Sequence, residues 1–288
     1  MLVSGAGALY LTSVVAWPVV YAVMAALILV GVATALLNPE PSVMDTSETG
    51  SREREIEAWL AVRPYLSGSL GVALAWLYIA VVCPFAEFMS RPAWAAILLF
   101  VIFYKFGDSL AGVMTFPFLD DIGFSKIDIA NVAKVFGFGA TLVGLALGGA
   151  LMAGVGLYQS LWICGILQLV SNLMFVVQAM AGADITLLAL TIGLENLAGG
   201  MGTAVFVAYL SSLCNVAYTA TQYALLSSLM VVARTWLSSS GGALAEWLDW
   251  IGFFLLTTGA ALPGLILLWW LGRTGLVASH GGRSNNLG

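Results

Sequence analysis

Two long stretches of this chain contain no Asp, Glu, Lys or Arg: Val135 to Ala183, and Asn196 to Ala233. A bilayer core of about 30 Å is crossed by roughly 20 apolar residues of helix. Each stretch is therefore long enough for about two spans. The backbone of a lipid-embedded segment must satisfy its own hydrogen bonds, which leaves helices as the solution for such runs. The rest of the chain agrees: 61% of its residues are hydrophobic, 9% are charged and the mean hydropathy is +0.99. A soluble domain carries about 25% charged residues. The expected fold class is all-α: a polytopic transmembrane helix bundle.

The charge-poor segments and their punctuation predict spans at Val14–Leu37, Trp94–Phe118, Asn131–Gly154, Leu157–Ala181, Ile185–Leu213, Tyr218–Gly242 and Leu248–Leu271, seven in all. Asn38-Pro39-Glu40-Pro41 closes the first, because proline cannot continue a helix. Short links such as Gly154-Val155-Gly156 and Gly182-Ala183-Asp184 make consecutive helices antiparallel neighbours. Met1 to Thr12 is apolar but too short to cross, and it has no basic stretch of the signal-peptide kind. Four regions follow: 1–41, a polar linker at 42–92 with a short charged helix at Arg52–Trp59, a six-helix region at 93–272, and a polar tail at 273–288 that reads as disordered.

Leu66–Cys83 is apolar for about one span, yet Pro84 and Arg91-Pro92 follow it. If it lies on the surface, Arg52, Arg54, Arg63, Arg91, Arg273 and Arg283 share one side of the membrane, facing Lys126 and Lys134. If it spans, that bias disappears. The positive-inside rule favours the surface placement, with the linker and C-terminus cytoplasmic.

Net charge of −5 argues against nucleic acid as a partner. Cys83, Cys164 and Cys214 lack metal-ligand spacing, and the single histidine, His280, falls in the tail. No cofactor or metal is expected. Without an intramembrane histidine or a nucleophile–base pair, enzyme chemistry is not expected either.

Four ionisable residues fall inside predicted spans: Lys105, Asp108, Glu195 and Arg234. Lys105 and Glu195 each lie about 15 Å into their helices, near the bilayer midplane. A charge there costs at least ~2.5–3.5 kcal/mol, so it must pair or line a wet cavity. Lys105 and Asp108 share a helix face and fit either a structural ion pair or a proton or substrate site. Arg234 fits either snorkelling to an interface or ligand binding. Glu195-Asn196 precedes Gly199, Gly200 and Gly202, where glycine permits close packing or bending. Gly144 and Gly148 match a GxxxG packing motif, and tryptophans at span ends read as interfacial anchors.

Tyr104-Lys105-Phe106-Gly107-Asp108 resembles the lysine–glycine–aspartate core of a central helix in the AmpG-type muropeptide permeases, a branch of the major facilitator superfamily. Glu195 to Ala208, Ala220 to Leu229, Leu213-Cys214-Asn215, Pro263 to Leu268 and Val81 to Phe85 resemble other segments of that family. The resemblance implies the second half of a major facilitator transporter. Met1 to Gly5 resembles the middle of a fifth helix, which would make Val14–Leu37 the sixth and leave helices one to four and part of five outside this chain.

It further implies proton-coupled import of N-acetylglucosaminyl-1,6-anhydro-N-acetylmuramyl peptides across the bacterial inner membrane for peptidoglycan recycling. Asp108 and Glu195 would then couple protons. Lys105, Asn196, Gln222 and Arg234 would bind substrate, and Gly107, Gly199, Gly200 and Gly202 would serve helix bending or packing. Partners would be the lipid bilayer, substrate, protons, and a separately supplied first half or a second copy. The competing readings are an acetyl-CoA-type transporter, a half-transporter without activity of its own, and a fragment of a broken gene.

Overall fold

A computed structural model describes residues 16–37, 69–215 and 218–274. The expected pieces at Met1–Thr12 and Arg52–Trp59, and residues 275–288 of the tail expected at 273–288, with Arg52, Arg54, Arg63, His280 and Arg283, lie outside the described residues, whereas Arg273 is the last residue of a helix. The chain divides into two units, Met1–Ala61 and Val62–Gly288.

The first unit contains α1, Trp17–Leu37, 21 residues without a charge and about 31 Å long at 1.5 Å per residue.

The second unit is a helical bundle, and no strand occurs among the described residues. It opens with α2 (Ser69–Leu77), a π-helical stretch (Tyr78–Val82) and α3 (Cys83–Met89), which run on without a break. Pro84, which follows the apolar run, does not end the helix. Instead, the Cys83 N–H bonds the Tyr78 carbonyl, five residues back, and the widened turn receives Pro84 in the first turn of α3.

The bundle continues with α4 (Trp94–Tyr104), α5 (Phe106–Asp121), α6 (Lys126–Ile129) with a π-helical stretch to Phe136, and α7 (Gly137–Val155). α8 (Leu157–Ala181), α9 (Ile185–Leu213), α10 (Thr219–Ser238) and α11 (Gly241–Arg273) complete it. Gly156 and Gly182 make the tight links with φ of 82° and 77°, where a side chain would be strained. The Asp184 carboxylate caps α9 by accepting from the backbone N–H groups of Thr186 and Leu187, at 2.8 and 3.0 Å.

Among the described residues, five helical runs are long and apolar enough to cross a membrane: Trp94–Asp121, Ile127–Val155, Leu157–Ala181, Ile185–Leu213 and Gly241–Arg273. These correspond to five of the seven expected spans. The other two expectations correspond to α1 and α10. α10 falls short because Gln222, Ser227, Ser228, Arg234 and Thr235 interrupt its apolar sequence. α11 is two helices joined at Asp249 (φ 54°), which divides Gly241–Leu248 from the expected span beginning near Leu248.

The interior holds two aromatic clusters on either side of Lys105. Toward Arg91 and Arg273, Tyr104 stacks on Phe206 at 5.2 Å, and Phe100 meets Tyr209 edge-on at 5.1 Å. Toward Asp121 and Asp184, Phe254 contacts Phe118 and Phe175, each at 4.9 Å. Such pairs contribute about 0.5–1.5 kcal/mol each beyond burial.

Glycine sets the closest helix crossing. A Cβ on Gly200 would lie 2.5 Å from the Thr141 carbonyl, and one on Gly148 would lie 2.7 Å from the Met201 carbonyl. α7 and α9 therefore touch backbone to backbone, as small residues allow between membrane helices.

Candidate functional site

One helix break positions the site. Tyr104 ends α4 and Phe106 begins α5, and Lys105 between them has φ −104° and ψ 4°. The Lys105 carbonyl accepts from the backbone N–H of Ser109 at 3.0 Å and from its hydroxyl at 2.7 Å. The break leaves the lysine side chain facing a cavity of about 420 Å³ among α4, α5, α7, α9 and α10.

Lys105, Asp108, Glu195, Asn196 and Arg234 all line this cavity. The Lys105 ammonium lies 3.1 Å from Asp108 Oδ2 and 3.5 Å from the Gly199 carbonyl. The pair is partly buried, with 14% and 20% of the two side chains exposed, so neither charge is fully removed from the cavity. Asn196 is held on three sides. Its Nδ2 donates to the Ile192 carbonyl at 2.9 Å and lies 3.4 Å from Glu195 Oε2, while its Oδ1 accepts from Thr141 Oγ1 at 3.0 Å. Arg234 is exposed and makes no ion pair among the described residues.

The glycines divide by role. Gly199 and Gly200 both line the cavity, but Gly199 has open space where a Cβ would stand, whereas Gly200 meets α7. Gly202 leaves room for the Gln168 amide, and Gly107 leaves room for the Thr257 carbonyl, 2.5 Å from its would-be Cβ. α9 runs unbroken through Gly199, Gly200 and Gly202, and the discontinuity falls at Lys105 instead.

Gln222 does not line the cavity. It belongs to a second polar cluster at the Arg91 end. Its Nε2 donates to Glu87 Oε2 at 2.5 Å and to the Pro84 carbonyl at 3.1 Å, and its Oε1 accepts from the Asn215 N–H at 2.7 Å. Arg91 donates to both Glu87 oxygens at 2.8 Å and to the Leu213 carbonyl. Burial pushes the Glu87 carboxyl up, but the hydrogen bonds from Arg91, Gln222 and Asn215 outweigh it and hold the group below its usual value of 4.5.

Sequence reasoning missed Thr141, Thr203, Tyr223 and Ser227, which also line the cavity. For Tyr223 and Ser227 the signal was present: both lie at helical spacing from Arg234, on one face of α10.

A larger groove of about 1020 Å³ between α7 and α9 is almost wholly apolar, with Asp184, already engaged as a cap, its one ionisable residue. No group of three potential metal ligands occurs among the described residues.

No protein-family model matches the chain. The chain is 35% identical over 275 residues to AmpG 4 of Rickettsia felis, covering 95% of this chain and 61% of that protein. It is 36% identical over 270 residues to the anhydromuropeptide permease of Escherichia coli K12, covering 93% of this chain and 50% of the permease. AmpG 3 of Rickettsia typhi is 31% identical over 258 residues, 90% of this chain and 57% of that protein. The chain thus spans between half and about three fifths of the length of these curated relatives. With this similarity over nearly all of its own length, and with its all-helical membrane architecture, the chain belongs to the AmpG-type permease family.

Proposed function

We propose that this chain forms one wall of a proton-coupled pathway that imports anhydro-muropeptides across the bacterial inner membrane. The observation that carries this reading is the convergence of Lys105, Asp108, Glu195 and Arg234, from three separate helices, on one cavity. An intramembrane charge costs at least ~2.5–3.5 kcal/mol against lipid, and a wet, ligand-filled cavity removes that cost. Muropeptides are polar and carry carboxylates, which match the cations Lys105 and Arg234. Asp108 and Glu195 are the carboxylates available to carry the proton. The name of the Escherichia coli relative supports the substrate class.

The pathway is completed by further protein. Arg234 and Thr203 are exposed beside the cavity, and lipid cannot solvate a guanidinium at depth. A first half of the major facilitator kind, or a second copy, would close that wall. The end carrying Arg91 and Arg273 faces the cytoplasm. With Leu66–Cys83 on the surface, Arg52, Arg54, Arg63, Arg91, Arg273 and Arg283 share one side against Lys126 and Lys134, and this asymmetry of basic residues supports a cytoplasmic C-terminus.

Uptake of labelled anhydro-muropeptide by inverted and right-side-out vesicles tests the reading. The chain is inserted alone or together with the first half of the Escherichia coli permease. Gradient-dependent accumulation in either condition supports it, and absence of accumulation in both, with the chain inserted, overturns it. Competition by acetyl-CoA but not by muropeptide would assign the cavity to acyl-CoA-type substrates instead.

A further inference from the structure

α10 presents Tyr223, Ser227, Met230 and Arg234 to the cavity. Their spacing of four, three and four residues returns to one helix face on each turn. The rotation of α10 that produces this stripe is held by the neighbouring face. There Gln222 and Leu226 are buried, and Gln222 is bonded to Pro84 and Glu87 at the end of the helix nearest Tyr223.

The two ends of the stripe differ in chemistry. Tyr223 offers an aromatic ring with a hydroxyl, beside Leu210 and Phe206. Arg234 offers a guanidinium that is exposed and makes no ion pair among the described residues, while the other cation of the cavity, Lys105, is already bound to Asp108. Eleven residues of helix separate the ends, about 16 Å along the axis. An aromatic side chain suits the apolar face and hydroxyls of a sugar, having an apolar body and a polar tip. An unpaired guanidinium suits a carboxylate, which it binds with two parallel hydrogen bonds.

We infer that α10 reads its substrate lengthwise, with Tyr223 against the sugar end and Arg234 on a peptide carboxylate about 16 Å away. The inference rests on the muropeptide reading above and adds a substrate orientation and a specificity residue, Tyr223. A ligand carrying only one of the two ends engages half of the stripe. The arrangement thus selects sugar–peptide conjugates over free sugars and free peptides.

The test uses the full chain in lipid nanodiscs, together with the half that completes its wall, and three probes. These are the anhydro-disaccharide tripeptide, the same conjugate with its peptide carboxylates amidated, and the free tripeptide. The chain is expected to bind the acid conjugate about tenfold or more tighter than the amide, as a charged hydrogen-bonded pair predicts. Arg234→Gln removes that preference. Tyr223→Ala weakens both conjugates by about tenfold, leaves the acid-over-amide preference in place, and leaves free-tripeptide affinity unchanged. The retained preference also reports that Tyr223→Ala is folded. The inference is overturned if the preference survives Arg234→Gln, or if Tyr223→Ala weakens the free tripeptide as much as the conjugate. If no conjugate binds to the unaltered protein, the muropeptide reading itself fails and this orientation fails with it.

Discussion

Thr141 Oγ1 donates to Asn196 Oδ1 at 3.0 Å and so ties α7 to α9 one residue from Glu195. The same hydroxyl lies 2.9 Å from the Gly137 carbonyl. Gly137 leaves space for the Asn196 amide, since a Cβ there would lie 3.0 Å from Nδ2. Asn196 is therefore held with its amide nitrogen turned toward Glu195. Thr141→Val keeps the shape and removes the donor. It should cost about 1 kcal/mol of stability and lower muropeptide uptake several-fold, while Thr141→Ser retains uptake. Parallel measurement of thermal unfolding and vesicle uptake checks both, and full uptake by Thr141→Val would remove Thr141 from a positioning role.

Lys105 and Asp108 form a partly buried pair, and removing one partner leaves the other charge uncompensated. Lys105→Met alone should destabilise by up to about 3 kcal/mol, below the cost for a fully buried pair because both groups retain some solvent. Lys105→Met with Asp108→Asn should recover most of that loss. Unfolding midpoints of the single and double variants check the coupling. Independent, additive losses would mean that the pair does not act as a unit.

Asp108→Asn and Glu195→Gln each remove a carboxylate from the cavity while preserving side-chain volume. Each should abolish gradient-driven accumulation, with the protein still inserted and monodisperse. Accumulation at the unaltered level by either variant would exclude that residue from proton coupling.

Glu87 joins α3 to the start of α10 through Gln222 and Asn215. Its carboxyl is held below 4.5 in the folded protein. A depressed carboxyl contributes stability that is full above its unfolded value and is lost as pH falls through the folded value. Stability from this group should therefore fall below about pH 4. Glu87→Gln should remove that acid-dependent component. Glu87→Ala removes one acceptor from each of Arg91, Gln222 and Asn215 and should cost about 1–3 kcal/mol at neutral pH. Unfolding followed between pH 3 and 7, a range chosen to bracket the ordinary carboxyl value, separates the two effects.

Gly199 and Gly200 are neighbours with opposite tolerances. A Cβ on Gly200 would meet the Thr141 carbonyl at 2.5 Å, while one on Gly199 meets nothing within 4 Å. Gly200→Ala should destabilise by about 1–3 kcal/mol, as overpacking does. Gly199→Ala should leave stability unchanged or slightly raised through helix propensity. Equal melting temperatures for the two variants would contradict the α7–α9 crossing.

The sequence by itself determined the class of this protein. Charge-free stretches such as Val135 to Ala183 can be buried only in lipid-facing helices, and backbone hydrogen bonding in a bilayer leaves no other form for them. It also singled out Lys105, Asp108, Glu195 and Arg234, because a charge within an apolar span is costly wherever the span sits. The family was readable from contiguous motifs, which survive without knowledge of packing.

Only the tertiary structure decided which faces meet. Helical periodicity places Tyr223, Ser227 and Arg234 on one side of α10, but nothing local says that this side faces Glu195. Gln222, one residue from Tyr223, turns instead to Glu87 and Pro84. Nor does local sequence distinguish Gly200, pressed on Thr141, from Gly199, open to the cavity. Pro84 reads as a helix stop, yet the π-helical stretch before it carries the helix through. In each case the outcome depends on the rotation and crossing of helices far apart in the chain. Those are set by close backbone approach and cross-helix hydrogen bonds, and neither is encoded in any single segment.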